Sequence, residues 1–199
     1  METTTRRTRG VQTGPRSRQV ISSVRAATLA ELERVGFTAM TVDAVARAAG
    51  VNRTTIYRRW PSKTALLATV VEPLLQRYDD IPETGDACKD LAAVMRMICE
   101  AWSSPEGQAL RVAAGAAHHE LQSLVDQVTE RSLAPLRRVL GRAARRGDIR
   151  EDDVTMIAHL AFHGVATWQR SPSAPLTDDD CRRMAHILLG AAGGDTPPS

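Results

Sequence analysis

An all-helical fold follows from three features of the 199-residue sequence. Apolar residues recur three and four apart in stretch after stretch, the period of an amphipathic helix. No run alternates apolar and polar residues as a half-buried strand would. Ser, Thr, Asp or Asn stands just before several of these stretches and Gly or Pro just after them, which are helix start and stop signals. One stretch, TVDAVARAAGVNRTTIYRRWPSK at residues 41–63, reads as two short helices, a tight turn and the start of a third. The chain is expected to divide around it: a basic arm at 1–16, a three-helix helix-turn-helix domain at 17–63, and a larger helical domain at 64–199.

The arm is polar, basic and broken by Gly10, Gly14 and Pro15, a composition expected to be disordered in free solution. Arg6, Arg7 and Arg9 could lie along a minor groove, or form a solvated tail that adds only diffuse attraction. A first helix is expected at 17–35, with Ile21, Val24, Ala27, Thr28, Leu32 and Val35 on one face and Gly36 ending it.

The second helix begins at Thr41, whose hydroxyl can cap it, with Asp43 in the first turn where the helix dipole favours an anion. Met40 and Val45 are spaced as a hydrophobic staple, and Val42, Val45, Ala46 and Ala49 form the apolar stripe. Gly50 can take the left-handed conformation that ends a helix, and Val51 plugs the corner. Asn52 can cap the third helix, whose Ile56 faces inward. Its outer face then presents Arg53, Thr54, Thr55, Tyr57, Arg58 and Arg59. Pro61 stops it, and Ser62 caps a fourth helix with Lys63 in the first turn.

In a helix-turn-helix the first helix supports and the second lies in the DNA major groove. Arg53 can reach the acceptors of guanine, and the threonines can offer a hydroxyl or a methyl contact to a base edge. Tyr57, Arg58, Arg59 and Lys63 are phosphate-binding types, which set register and affinity. Charge agrees. Residues 1–63 carry 12 Lys+Arg against 4 Asp+Glu, a net of +8, whereas residues 64–199 carry 14 against 19, a net of −5. The basic character belongs to the part that would meet nucleic acid.

These residues, preceded by Val35-Gly36-Phe37, resemble the DNA-binding domain of TetR-type transcriptional regulators over about residues 20–75. The specific pattern is G-V-x-x-x-T-x-Y-x-x-[WF]-x-[ST]-K, here Gly50 to Lys63. The resemblance implies that Arg53, Thr54, Thr55, Tyr57 and Arg59 face DNA and that Thr41 and Lys63 sit on phosphates. Trp60 stands where phenylalanine is commoner in the family, a change that reads as core packing only.

The fourth helix carries Leu66, Leu67, Val70, Val71, Leu74 and Leu75 inward, and Pro73 should bend or end it. Asp79 to Asp86 is a loop by composition. Leu91, Val94, Met95, Ile98 and Trp102 follow at helical spacing, and another helix starts near Pro105. Leu121, Leu124, Val125, Val128, Leu136, Val139 and Leu140 trace a long helix or a broken pair, with a kink or restart expected at Pro135. Two helices remain, at 152–169 and 177–190, joined by a Ser/Pro linker at 171–175.

Enzymatic signals are weak, and the chain is expected not to be an enzyme and to need no cofactor or metal. His159 and His163 have the four-residue spacing of a zinc pair but no third ligand, so packing or interface roles fit better. His118 and His119 point to different helix faces. Cys88, Cys99 and Cys181 are odd in number and lack metal-ligand spacing, as in a reducing cytosol. No apolar run is long enough to span a membrane. A cytoplasmic protein is expected.

Met95, Cys99, Trp102, His118, Phe162 and Trp168 could line an apolar cavity or fill a solid core. The TetR resemblance implies an effector pocket in this region and a dimer interface made by the last two helices of each protomer. The expected protein is a homodimeric repressor on a near-palindromic double-stranded operator, released by a mainly apolar or aromatic small molecule. An effector-independent architectural DNA-binding protein and a helical metal-dependent enzyme are the alternatives.

Overall fold

The structure, a computed structural model, describes residues 14–170 and 176–192, apart from the side chains of His118, Ala191 and Ala192. The basic arm with Arg6, Arg7 and Arg9, and the linker at 171–175, lie outside the described residues.

Among the described residues the fold is all-helical. Helix α1 spans Pro15–Ala39, but Gly36 breaks its helical backbone at φ 73°, so the regular part ends where the glycine signalled. Helices α2 (Val42–Ala48), α3 (Arg53–Arg59) and α4 (Lys63–Gln76) follow, then a single 3-10 turn at Arg77–Asp79. The larger part comprises α5 (Ala87–Ser103), α6 (Pro105–Ala116), α7 (His118–Arg146), α8 (Asp153–Trp168) and α9 (Asp178–Ala192).

The caps explain where the short helices start. Thr41 Oγ1 accepts from the Ala44 amide at 3.1 Å, Asn52 Oδ1 from Thr54 at 2.9 Å, and Ser62 Oγ from Ala65 at 3.1 Å. Each satisfies a donor that the first turn leaves orphaned. Gly50 adopts φ 65°, a left-handed conformation that a β-carbon would disfavour, and this lets the chain reverse between α2 and α3. Met40 and Val45 are both buried, as a staple requires.

At both prolines the expected interruption is corrected, since neither helix ends or restarts there. Pro73 neither ends α4 nor precedes a break, because it sits one turn from the end, where Leu74 and Leu75 remain buried against the core. Pro135 lies inside α7 with no restart: Leu133, Leu136, Val139 and Leu140 are all fully or almost fully buried around it. Loss of one backbone donor, a cost of about 3 kcal/mol, is outweighed by packing on both sides.

One continuous buried cluster runs from Val24 in α1 to Ala185 in α9. Helix α4 bridges its two ends. It contacts α1, α6 and α7, with Leu66, Leu67, Leu74 and Leu75 all buried, and near its end Leu74 and Leu75 share a cavity wall region with Leu110 of α6 and Val128 of α7. Asp90, 1% exposed, anchors the loop before α5 by accepting from the Thr84 amide at 3.0 Å and hydroxyl at 2.7 Å. Arg142 lies 3.8 Å away as its counter-charge.

Candidate nucleic-acid interface and core cavity

Helix α3 is held from beneath by Ile56, fully buried, and by Trp60 at its C-terminal end. Arg53, Thr54, Tyr57, Arg58 and Arg59 are exposed, and Thr55 is half-buried. Such a two-faced short helix can enter a groove without unpacking its support. Thr41 is also exposed, its hydroxyl committed to the cap of α2.

Three cations of this surface, Arg53, Arg59 and Lys63, are pre-positioned by neighbours. Arg53 lies 3.2 Å from Asp43 Oδ2 of α2 and stacks its guanidinium 5.5 Å from the Tyr57 ring centroid. Arg59 donates to Ser17 Oγ of α1 at 2.9 Å. Lys63, expected on a phosphate, donates from Nζ to the carbonyls of Phe37 and Thr38, each at 3.2 Å, and lies over the Phe37 ring. The end of α1 at Ala39 leaves those carbonyls among the orphaned acceptors of its last turn, and the ammonium serves them. Its Nζ is also 3.9 Å from Glu120 in the first turn of α7. Trp60 does more than pack: its Nε1 donates to Thr69 Oγ1 of α4.

In the larger part, a cavity of about 20 Å³ lies between the end of α4, the 3-10 turn, α5, α6 and α7. That is room for about one water molecule. Val71, Leu74 and Leu75 form one wall, Ala101 and Trp102 another, and Leu110 and Val128 close it. Its polar groups are the hydroxyls of Tyr78 and Ser132. Tyr78 is 4% exposed, and burial pushes its phenol up to about 12 despite a hydrogen bond with Ser132. Gly107 lets α6 approach the end of α5, since a β-carbon there would meet the Ala101 carbonyl oxygen at 2.1 Å.

Of the six residues expected around a pocket, Trp102 alone is among this cavity's lining residues. Met95 and Phe162 are buried in the core, with Phe162 6.5 Å from Trp102 between ring centroids. Cys99 is buried in the core as well. Trp168 is 42% exposed, which corrects its placement inside. It is six residues beyond Phe162, about 240° around the same helix, so the two cannot share a face. His118 opens α7, and its side chain lies outside what the structure describes. Tyr78 and Ser132 escaped the sequence reading. Tyr78 could have been found, because it continues the α4 stripe of Leu67, Val71 and Leu74.

The outer faces of α8 and α9 carry Met156, Leu160, Trp168 and Ile187, each more than 40% exposed. Such an apolar surface on two adjacent helices is unusual for a face left in water. His159 and His163 stack at 5.9 Å on the same helix. Among the described residues, no cluster of three His, Cys, Asp or Glu side chains could hold a metal. No described helix is long and apolar enough to cross a membrane.

Comparison with known proteins gives two family matches. Residues 24–70 match the bacterial regulatory proteins of the tetR family, and residues 81–188 match the tetracyclin repressor-like C-terminal domain. An uncharacterised HTH-type transcriptional regulator of Mycobacterium tuberculosis, Rv1556, is 30% identical over 174 residues, covering 82% of this chain and 83% of its own. The DNA-binding transcriptional repressor TetR of Mycobacteroides abscessus is 27% identical over 168 residues, covering 82% and 88%. The crystal structure of the TetR family transcription regulator SCO0332 superposes with a TM-score of 0.66 at 28% identity, covering 90% of this chain and all of that one.

Proposed function

This chain belongs to the TetR family of bacterial regulatory proteins and is a DNA-binding transcriptional regulator. From that premise we propose that it is a one-component repressor, released from its operator when a small molecule enters the larger helical part. Membership of the family implies operator DNA and dimerisation. A twofold dimer places two α3 helices on successive major-groove faces of a near-palindromic site.

The observation that carries this reading is the exposed face of α3 above a buried Ile56. Arg53, Thr54 and Thr55 read base edges. Tyr57, Arg58 and Arg59, with Thr41 and Lys63 behind them, hold the phosphate backbone. The division at 17–63 and 64–199 separates reading from sensing, with α4 common to both. The apolar strip of Met156, Leu160 and Ile187 supports pairing of α8 and α9 with their twofold copies.

The effector is mainly apolar, matching the walls of the cavity, with one polar group for Tyr78 and Ser132. At about 20 Å³ the cavity must open to admit it, so the ligand selects a more open arrangement of α4 to α7. That opening moves the end of α4, and α4 moves the reading head. A screen of apolar and aromatic compounds tests the scheme. The scheme requires a ligand that raises the melting temperature and also weakens operator binding, and operator DNA must then weaken binding of that ligand by the same factor. The nearly filled cavity also favours a second reading, an effector-independent architectural protein. That reading wins if no compound both stabilises the protein and displaces it from DNA.

A further inference from the structure

We propose that Asp43 of α2 sets the sequence discrimination of Arg53: it holds the guanidinium ready for a guanine edge and withholds its charge from DNA of other sequence. The proposal rests on the reading of base edges by Arg53 given above, and it makes Asp43 a positioning residue.

Asp43 stands out by charge. Residues 41–63 contain five Lys+Arg, and Asp43 is their only acid. A carboxylate on a surface that meets phosphates lowers affinity for every DNA sequence alike. Its place in the first turn of α2 gives it a favourable interaction with the helix dipole. The dipole does not account for its contact with the next helix. Asp43 Oδ2 lies 3.2 Å from Arg53 Nη2, across the turn at Gly50. The Tyr57 ring supports the same guanidinium, which lies 5.5 Å from the ring centroid. One group from each helix therefore fixes a single fork. The Arg53 and Asp43 side chains are 74% and 40% exposed, and an ion pair in that much water adds little to folding. Stability is not what the pair supplies.

Fixing the fork acts on two kinds of binding in opposite directions. Toward a guanine edge, Arg53 arrives with its rotamers already restricted, so less freedom is lost when it donates to O6 and N7. Of its five donors, those not facing the carboxylate remain for the base. On DNA without that guanine, the carboxylate offsets the arginine's charge, and one cation fewer releases counterions from the backbone. Asp43 thus widens the gap between the right site and the rest from both sides.

The test uses the full chain, with the parent beside Asp43→Asn, Arg53→Ala and the double variant. Each selects from a random duplex library. Each is then titrated at several salt concentrations against the enriched site, a copy changed at the Arg53-dependent base pair, and a scrambled duplex. Asp43→Asn should reduce the preference at the position that Arg53→Ala relaxes by about twofold to tenfold, the range for freeing one long side chain. It should bind the scrambled duplex more tightly than the parent, with a salt slope steeper by about one. With Arg53 already replaced by alanine, Asp43→Asn should leave the preference at that position unchanged. A purely structural role in α2 would instead weaken both duplexes together, lower the melting temperature and persist in the Arg53→Ala background, which overturns the proposal. Discrimination equal to the parent's in Asp43→Asn also overturns it, and leaves base reading by Arg53 standing. If Arg53→Ala relaxes no position, base reading itself fails and the role of Asp43 falls with it.

Discussion

The indole Nε1 of Trp60 donates a 2.6 Å hydrogen bond to Thr69 Oγ1, tying the end of α3 to the second turn of α4. Thr69 in turn donates to the Ala65 carbonyl at 3.1 Å. Within the next two turns, the same helix forms a wall of the cavity through Val71, Leu74 and Leu75. In the proposed scheme this bond would help pass movement of α4 to α3 across the connection at Pro61 and Ser62. Trp60→Phe keeps the apolar ring and removes the donor, and should cost about 0.5–1.5 kcal/mol in urea unfolding. Thr69→Val should cost a similar amount, and the double variant less than their sum, because both remove one bond. Full additivity would show that the contact carries no energy.

Close approach of α6 to α5 gives a second prediction. Gly107→Ala puts a β-carbon 2.1 Å from the Ala101 backbone oxygen, which cannot swing aside as a side chain would. The variant should lose about 1–3 kcal/mol, the usual range for overpacking. Gly115→Ala in the same helix meets nothing within 4 Å and should be neutral or stabilising. Equal denaturation midpoints for the two variants would refute the difference.

Assembly can be separated from folding by choice of position. Leu160→Asp and Ile187→Asp alter side chains that are 54% and 67% exposed, so the protomer should stay helical while the dimer dissociates. Phe162→Asp places a charge at a site only 3% exposed and should unfold the larger part. Sedimentation and circular dichroism together distinguish the outcomes. Dimers that persist in both Leu160→Asp and Ile187→Asp would place the interface elsewhere.

Tyr78 predicts a loss of stability in alkali. Its folded pKa of about 12 lies above the roughly 10 of an unfolded tyrosine, so the neutral phenol belongs to the folded state. That contribution is complete below about pH 10 and is lost as pH climbs through about 12, because the unfolded chain releases the proton first. Denaturation midpoints measured across that window should fall less steeply in Tyr78→Phe than in the parent. Parallel curves would remove Tyr78 from the alkaline transition.

Much of the helix-turn-helix was legible because its determinants are local. Thr41, Asn52 and Ser62 cap helices that begin at the following residue, and Gly50 turns the chain where a left-handed residue was needed. The cavity was not legible, since it depends on how five segments rotate against one another. Grouping Met95, Cys99, Phe162 and Trp168 by size and polarizability ignored the directions that helical rotation gives them. Trp60 and Lys63 show the same limit. Their residue types suggested packing and phosphate contact, while their bonds to Thr69 and to the carbonyls of Phe37 and Thr38 arise between segments. Pro135 misled because a proline signal is local, and the buried leucines around it are not.

In the proposed function, α3 reads DNA sequence through Arg53. Selection of bound duplexes from a random library, run in parallel on the parent and on Arg53→Ala, tests it most directly. The parent should enrich a near-palindromic site. The variant should lose about 1–3 kcal/mol on that site and relax its preference at one position in each half, with the rest of the site unchanged. No enriched site for the parent, or the same preference at every position in the variant, would contradict the account.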